Sequence, residues 1–333
     1  MAQTPLKDLL PRLQELAEAS LSLWNVPLGA EVQLINVSEN VTYLVQAGAF
    51  KSVLRIHRVG YHSRRAIMSE LDWLTALGQE TEVVTPRVMV GKDGARIQHN
   101  ITHRLKNARD MVMFEFINGA APDEAGDLTH HFQELGQIAA HCHNHVLSWE
   151  KPNSFERLTW DDAAIFGPDA TWGHWSDAPG VTDEIRPLLA RLENTVVARL
   201  EAFGKSPERF NLIHADMRLA NLIVAREGTR LIDFDDCGWG WLLYDLAAAL
   251  SFMEDHPRVP EFKAAWLRGY SRFRALSASD EAEIDTFIMI RRLALLAWIG
   301  SHIEAPEPQA LAPTFAKNTA KLARQYLAKF GQS

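Results

Sequence analysis

FNLIHADMRLANLIVAREGTRLIDFDDCGWGWLLYDLA, at residues 210–247, is the stretch that decides the fold of this 333-residue chain. Two short apolar runs within it, Leu222–Val224 and Leu231–Ile232, flank the polar turn Glu227–Gly228. A turn of this kind between two strand-like runs predicts a β-hairpin. Polar residues at the open end of that hairpin are therefore expected to meet in space.

Three polar side chains lie at the expected ends of these elements. Asn221 stands directly before the first run, Asp233 directly after the second, and Asp216 five residues before Asn221. Pairing of the runs brings Asn221 and Asp233 to one end, where a carboxylate and an amide oxygen suit Mg²⁺. Asp216 would face the same point and could accept a proton from an attacking hydroxyl. Single Asp and Asn residues also form turns and caps, so only the joint pattern, H-x-D-x-x-x-x-N followed by I-D, indicates phosphoryl transfer.

The same stretch resembles the aminoglycoside phosphotransferase/choline kinase family, protein-kinase-like enzymes that include homoserine kinase type II and stress-response kinases. Three motifs carry the resemblance: His214–Asn221, Leu231–Asp235 and Tyr244–Ala247. It implies that Asp216 is the catalytic base and that Asn221 and Asp233 are metal ligands. It also implies that Asp245 is buried and hydrogen-bonds the catalytic loop, while His214 is interpreted as a packing residue.

Patterns along the rest of the chain predict an α+β, protein-kinase-like fold with a small antiparallel sheet lobe and a large helical lobe. Strands are predicted at Glu31–Val37, Val41–Ala47, Lys51–His57, Arg87–Val90, Ala95–Gln98 and Met111–Phe116. Helices are predicted at 62–77, 127–149, 182–203, 242–253, 261–275, 280–304 and 313–330. We expect a nucleotide-binding lobe at residues 1–116 and a catalytic, substrate-binding lobe at 117–333, with ATP in the cleft.

The predicted third strand carries the residues expected to bind the nucleotide phosphates. Val53–Ile56 resembles the family strand whose cation contacts the α- and β-phosphates, and Arg55 stands at that position. Glu70, fifteen residues later in the predicted helix, matches the partner carboxylate. Protein kinases have Lys where this chain has Arg, which can still clamp a phosphate. The alternatives are Lys51 as the phosphate-binding cation, and a surface ion pair between Arg55 and Glu70.

Further nucleotide contacts are expected from a loop and from a hinge. The loop around Ser38 and Asn40 lacks a G-x-G-x-x-G motif, but its amides and short side chains could cover the phosphates. Backbone groups of Glu115 and Ile117 would hydrogen-bond the adenine edge at the hinge.

Residues beside the metal motif bear on phosphate transfer and on the acceptor. Arg218 could stabilise charge on the transferred phosphoryl group, or it could be a solvated loop residue. Asp235 and Asp236 could bind an amine, add a metal ligand or form an acidic loop tip. Aromatic residues could cage a cationic amine or simply pack: Trp160, Trp172 and Trp175 in the insert 159–180, and Trp239.

Composition narrows the class of protein. The net charge of −8, without a basic stripe, argues against a nucleic-acid partner. Two widely spaced cysteines, Cys142 and Cys237, predict a reducing compartment. No signal peptide is predicted, because the N-terminal stretch mixes charges with its apolar residues. No membrane span is predicted, because the most apolar late stretch is interrupted by Arg291 and Arg292. We therefore expect a cytoplasmic protein, either a monomer or a homodimer.

These observations favour an Mg²⁺- and ATP-dependent phosphotransferase that acts on a small-molecule hydroxyl, of an amino alcohol or a hydroxy amino acid. One alternative is a Ser/Thr protein kinase of the stress-response type, but the eleven residues between Asp233 and Asp245 leave no room for a long activation loop. The other alternative is a non-catalytic regulator that binds a nucleotide. The acceptor's identity and the choice between ATP and GTP stay open.

Overall fold

The computed structural model describes residues 5–123, 125–226 and 228–331, which divide into two compact units. Unit 1 contains the described chain up to Gln79 together with Thr85–Asn118 and Lys151–Glu156. Unit 2 contains Glu80–Val84, Gly119–Glu150 and the described chain from Arg157 onward. The proposed lobes at 1–116 and 117–333 stay a prediction.

Unit 1 is built on an antiparallel sheet, as the sequence predicts. Its elements are α1 (Leu6–Ser20), β1 (Glu31–Val37), β2 (Val41–Ala47), β3 (Phe50–Ile56), α2 (Arg64–Glu80), β4 (Val88–Met89), β5 (Gln98–Asn100) and β6 (Arg109–Glu115). The strand order is β1-β2-β3-β6-β4, β5 also pairs with β6, and every pairing is antiparallel.

Alternation along the strands decides which side chains face the core of unit 1. Tyr43 on β2 and Leu54 on β3 are buried in one cluster with Leu16 of α1 and with Trp24. Because successive side chains of a strand point to opposite faces, Arg55 faces away from this cluster. That other face is where α2 supplies Glu70.

Unit 2 is mainly helical and contains two small sheets. Its elements are α3 (Thr129–Ser148), β7 (Leu158–Trp160), α4 (Asp162–Phe166), α5 (Arg186–Phe203), β8 (Phe210–Ile213), β9 (Leu222–Ala225), β10 (Gly228–Leu231), β11 (Gly238–Trp241), α6 (Tyr244–Ala249), α7 (Val259–Tyr270), α8 (Ala278–Ala282), α9 (Ile284–Ser301) and α10 (Pro306–Phe330). β9 and β10 form an antiparallel pair, and β11 lies between β7 and β8.

Three helices form the centre of unit 2. In α9 every residue from Thr286 to Ile299 is buried, as expected for a helix that is apolar on all sides. The helices α3 and α7 meet at glycines, because a Cβ at Gly136 would lie 2.0 Å from the Trp266 carbonyl oxygen and one at Gly269 2.0 Å from that of Gln133. Within the described residues, no helix is long and apolar enough to cross a membrane.

Several predicted boundaries are wrong for identifiable reasons. The strand predicted at Ala95–Gln98 starts only at Gln98, because Gly91 and Ala95 close a turn through a 2.8 Å hydrogen bond. The helix predicted at 280–304 breaks into α8 and α9 at Glu283, whose carboxylate binds Arg199.

Two other helix predictions also need correction. The helix predicted at 242–253 ends at Ala249, since Phe252 has a φ of 69°. The helix predicted at 313–330 begins instead at Pro306, in the first helical turn where proline is tolerated, and it runs through Pro313. The predicted turn at Glu227–Gly228 includes Glu227, which lies outside the described residues.

Candidate active site

The loop that carries Asp216 follows β8 and is fixed by backbone hydrogen bonds to a buried carboxylate. The amides of His214 and Ala215 donate to Asp245, at 3.1 and 2.7 Å. Ala215 has a φ of 66°, a left-handed conformation that costs energy for a residue with a Cβ. The two hydrogen bonds hold this strained turn, and Asp216 follows it directly. The prediction that Asp245 is buried and binds the catalytic loop is confirmed.

Both carboxylate oxygens of Asp216 are engaged. Arg291 of α9 donates from Nη2 to Oδ1 at 2.6 Å. Asn221 donates from Nδ2 to Oδ2 at 2.7 Å, and Nε of Arg218 lies 3.5 Å from the same oxygen. The side chain of Asp216 keeps 16% of its surface exposed, whereas that of Arg291 keeps only 2%. The carboxylate is therefore held by a fully buried arginine, while part of the Asp216 side chain remains exposed.

The charge of Asp216 is stabilised by its surroundings. Burial alone would raise the pKa of the carboxyl group, but the guanidinium charges of Arg218 and Arg291 outweigh it and lower the pKa below its ordinary value. Asp216 is consequently ionised at neutral pH, which is the protonation state that can accept a proton.

The hairpin brings Asn221 and Asp233 to one end, as predicted. Leu222 pairs with Leu231, and one residue further the Ile232 amide donates to the Asn221 carbonyl oxygen at 2.9 Å. Asn221 also uses Nδ2 to bind the carbonyl oxygen of Asp216 at 2.9 Å. Because both partners of Nδ2 are acceptors, the amide must be oriented with Oδ1 directed elsewhere.

Asp233 and His214 complete this end of the hairpin. Asp233 has a φ of 61°, so a second strained residue stands at the site. The His214 ring is buried, accepts from the Asp216 amide at Nδ1 and lies 3.1 Å from the Ile232 carbonyl oxygen at Nε2. The ring therefore carries its proton on Nε2 and ties the catalytic loop to the hairpin, in agreement with the predicted packing role.

Two side chains of unit 2 bind the backbone carbonyl oxygens of the segment that follows Asp233. Arg157 donates to the carbonyl oxygens of Asp235 and Cys237, and Trp160 Nε1 donates to that of Asp236 at 2.7 Å. Three successive carbonyls are thus bound from β7 and the residue before it. Asp235 and Asp236 lie in a turn, as expected for a loop tip, but both are buried rather than solvated.

One ring of the aromatic insert, that of Trp172, contacts the arginine that binds Asp216. Trp172 lies over the Arg291 guanidinium, 5.4 Å from ring centroid to Cζ, and its ring is 4.8 Å from that of Trp160. Trp160 and Trp175 are buried and serve packing, Trp175 with its Nε1 bound to Glu193. The insert therefore contacts Asp216 indirectly, through Arg291.

Arg218 is not a free loop residue. Its Nη1 donates to Glu307 at the start of α10 at 2.8 Å, and its guanidinium lies 5.4 Å from the centroid of the Phe252 ring. Phe252 is the third residue other than glycine with a positive φ among the described residues. The interpretation of Arg218 as a solvated residue is therefore wrong.

In unit 1, Arg55 and Glu70 form a buried pair. Nη2 of Arg55 lies 2.7 and 2.6 Å from the two carboxylate oxygens of Glu70, and the side chains are 7% and 1% exposed. The guanidinium also lies 5.2 Å from the Phe114 ring centroid. A surface ion pair is therefore excluded. Lys51 is exposed and lies 5.3 Å from the Phe116 ring centroid.

The other predicted nucleotide residues also belong to unit 1. The Ser38 amide donates to the Asn40 carbonyl oxygen at 3.0 Å, and Asn40 Oδ1 accepts from the Arg58 amide at 3.1 Å. Asn40 is buried, and its side chain stabilises the start of the β3–α2 connection. Glu115 is exposed at the end of β6, and Ile117 follows it half-buried.

Sequence reasoning missed Arg291 and Arg157, two buried arginines that come to this part of unit 2 from distant segments. For Arg291 a signal existed, because a charged residue inside an otherwise apolar helix is buried only when it is paired. Nothing in the sequence names the partner, which is 75 residues away.

Comparison with known proteins places this arrangement in a family. The model of the phosphotransferase enzyme family matches residues 31–283. A solved microcompartment-associated aminopropanol kinase is 41% identical, with a TM-score of 0.88 over 96% of this chain and 99% of that one. Amicoumacin kinase of Bacillus subtilis (strain 168) is 22% identical over 80% of this chain and 78% of its own length. Homoserine kinase of Gluconobacter oxydans (strain 621H) is 28% identical over 52% and 55%.

The fold and the site thus define a kinase that acts on small molecules. The chain belongs to the phosphotransferase enzyme family, and it catalyses ATP-dependent phosphorylation of a small-molecule hydroxyl group.

Proposed function

We propose that this protein transfers the γ-phosphate of ATP, bound with Mg²⁺, to the hydroxyl of a small amino alcohol. The single observation that supports this acceptor most strongly is the 41% identity with an aminopropanol kinase over nearly the whole of both chains. The sequence adds a chemical reason. The segment Asp233–Asp236 contains three aspartates and no basic residue, and negative charge favours a cationic acceptor.

Asp216 would act as the base in this reaction. The acceptor oxygen forms a bond to the γ-phosphorus, the bond from that phosphorus to the ADP oxygen breaks, and the hydroxyl proton passes to Asp216. The carboxylate is ionised, and the side chain is partly exposed. Arg218, whose Nε lies near Asp216, would balance the charge of the transferred phosphoryl group.

Asn221 and Asp233 fit an Mg²⁺ site. The Asn221 side chain uses its nitrogen for Asp216, which leaves its oxygen as the atom for a metal. The Asp233 carboxylate adds a hard anionic ligand at the same end of the hairpin. One or two protein oxygens are what Mg²⁺ usually takes beside substrate phosphates and water, and the bound ion would neutralise phosphate charge.

Arg55 would contact the nucleotide phosphates, and its bond to Glu70 would hold the guanidinium in place. A buried arginine paired with a carboxylate is held in one position, and the planar guanidinium matches the geometry of phosphate oxygens. The loop at Ser38 and Asn40 and the backbone at Glu115 and Ile117 are the remaining proposed nucleotide contacts.

Asp236 is our candidate for the group that recognises the amine. Burial lowers the pKa of Arg291, but Tyr244 and Asp216 raise it more. Asp236 adds to that increase, so its carboxylate lies within electrostatic range of Arg291 and hence near the base. An ammonium group beside Asp236 would bring the hydroxyl of a short amino alcohol towards Asp216.

Matched acceptors test this proposal. We expect aminopropanol and ethanolamine to be phosphorylated with a kcat/KM at least about tenfold above propanol and propanediol, because an ion pair in a partly buried site contributes on the order of 1.4 kcal/mol. Asp236→Asn should remove most of that preference, and Asp169→Asn, a change at an exposed carboxylate, should not. Equal rates with the amine-free alcohols, or phosphorylation of proteins only, would refute the amino alcohol assignment.

A further inference from the structure

Arg291 reaches Asp216 from a helix that sequence motifs do not mark. It lies near the middle of α9, and among the described residues its guanidinium makes four polar contacts, all within unit 2. Nη2 binds Asp216 Oδ1 at 2.6 Å, and Nε binds Ser251 Oγ at 2.9 Å. Nη1 lies 3.2 Å from the Ala215 carbonyl oxygen and 3.4 Å from the Tyr244 hydroxyl.

This geometry leaves the guanidinium no alternative position. Its side chain is 2% exposed, and the rings of Trp172 and Tyr244 lie 5.4 and 5.6 Å from Cζ. The guanidinium is a planar fork of donors, and four acceptors and two aromatic rings hold it, so it binds the Asp216 carboxylate in a fixed orientation. The orientation of Asp216 is then set by α9 as much as by its own loop.

Arg292, the next residue, provides a contrast. It is equally buried, but it binds Glu254, Thr319 Oγ1 and the Phe315 carbonyl oxygen. Its ion pair with Glu254 fastens α9 to the loop after α6, and its hydrogen bonds to Thr319 and Phe315 fasten α9 to α10. Among the described residues, Asp216 is not one of its hydrogen-bond partners. Two adjacent arginines of one helix therefore have separate partners, one of them the base.

We propose that Arg291 is the positioning residue of the catalytic base: it fixes the Asp216 carboxylate through Oδ1, so that the remaining lone pairs face the acceptor hydroxyl. This inference rests on the proposed role of Asp216. A misplacement of the base by less than 1 Å lowers the rate of proton transfer without changing how ATP binds. The role is distinct from that of Arg218, which lies on the other carboxylate oxygen.

The test is a double-mutant cycle with a matched neighbour. Arg291→Lys keeps a buried charge but cannot reach all four partners, and we expect kcat to fall about 30-fold or more with KM for ATP within twofold of wild type. Arg292→Lys should leave kcat within about threefold. In the Asp216→Asn background, Arg291→Lys should cause little additional loss, because its effect passes through the carboxylate.

The results distinguish a positioning role of Arg291 from a purely structural one. A kcat for Arg291→Lys near that of wild type, or an equal fold-loss in the wild-type and Asp216→Asn backgrounds, would show that Arg291 only supports the fold. Thermal unfolding of both lysine variants separates loss of folded protein from loss of rate. If wild type phosphorylates no amino alcohol, the proposed acceptor fails, and the cycle is run instead with any hydroxyl acceptor that supports turnover.

Discussion

His143 Nε2 lies 3.0 Å from Asp245 Oδ2, and both side chains are fully buried. The same carboxylate accepts from the amides of His214 and Ala215, so Asp245 links α3 to the catalytic loop by hydrogen bonds. On the other side of the ring, Nδ1 lies 2.9 Å from the Tyr270 hydroxyl of α7. The carboxylate requires a proton on Nε2, and burial lowers the pKa of His143, so at neutral pH the ring is neutral and Nδ1 accepts from the Tyr270 hydroxyl.

The first prediction concerns the pH dependence of stability. Burial lowers the pKa of His143 more than Asp245 raises it, so the unfolded chain takes up the proton first. The contribution of His143 to the free energy of unfolding is therefore complete above its ordinary pKa of about 6.5 and is lost as the pH falls from there toward the lowered value. His143→Gln keeps a donor for Asp245 and an acceptor for Tyr270 but cannot titrate.

Urea unfolding at several pH values between 7.5 and 5 measures this effect. Wild type should lose up to about 1.4 kcal/mol per pH unit more than His143→Gln below pH 6.5. His103→Gln, at a side chain that is 82% exposed, is the control and should follow wild type. Parallel curves for wild type and His143→Gln would contradict the assignment of a neutral, buried His143.

The second prediction is that Asp216→Asn lowers kcat by about 10²–10⁴-fold while the KM for ATP stays close to wild type, because the base acts on the acceptor hydroxyl. Steady-state kinetics with varied ATP and saturating acceptor measure both quantities, and a melting curve verifies that the variant folds. Asp169→Asn is the control at an exposed position. Retention of more than about a tenth of kcat would remove Asp216 from the role of base.

The third prediction separates the metal ligand from the base. Asp233→Ala should raise the Mg²⁺ concentration for half-maximal activity and weaken the binding of the ATP–Mg²⁺ complex, because the site has few protein ligands. Asp216→Asn should not change either quantity more than about twofold. Calorimetric titration of the nucleotide with and without Mg²⁺ provides a readout independent of turnover, and unchanged titrations would exclude Asp233 as a ligand.

The fourth prediction concerns the close approach of α3 and α7. Gly136→Ala should lower the free energy of unfolding by about 2–3 kcal/mol, since its Cβ would lie 2.0 Å from a backbone oxygen that cannot move alone. His130→Ala, on the exposed face of α3, should stay within about 0.5 kcal/mol of wild type. Denaturant unfolding checks both, and a Gly136→Ala protein as stable as wild type would show that the helices can separate.

The local part of the site could be predicted because its residues are close in sequence. A hairpin between Leu222 and Leu231 brings its two flanking residues together whatever the rest of the chain does, and this fixed the expectation for Asn221 and Asp233. Strand alternation explains why Arg55 faces away from Leu54, although the sequence alone left open whether Arg55 pairs at the surface. Boundaries such as that at Glu283 could not be predicted, because its partner Arg199 comes from another helix.

The sequence by itself determined the class of fold, the hairpin and the order of the polar residues along the catalytic loop, since these depend on patterns repeated over a few residues. Only the tertiary structure decided that Arg291 binds Asp216, that Arg157 and Trp160 hold Asp235–Cys237, and that Gly136 touches α7. Those contacts join segments separated by many residues, and a side chain's type states what it can bind but not which partner packing will bring to it. The geometry around Asp216 is therefore a property of the packed unit rather than of its motif.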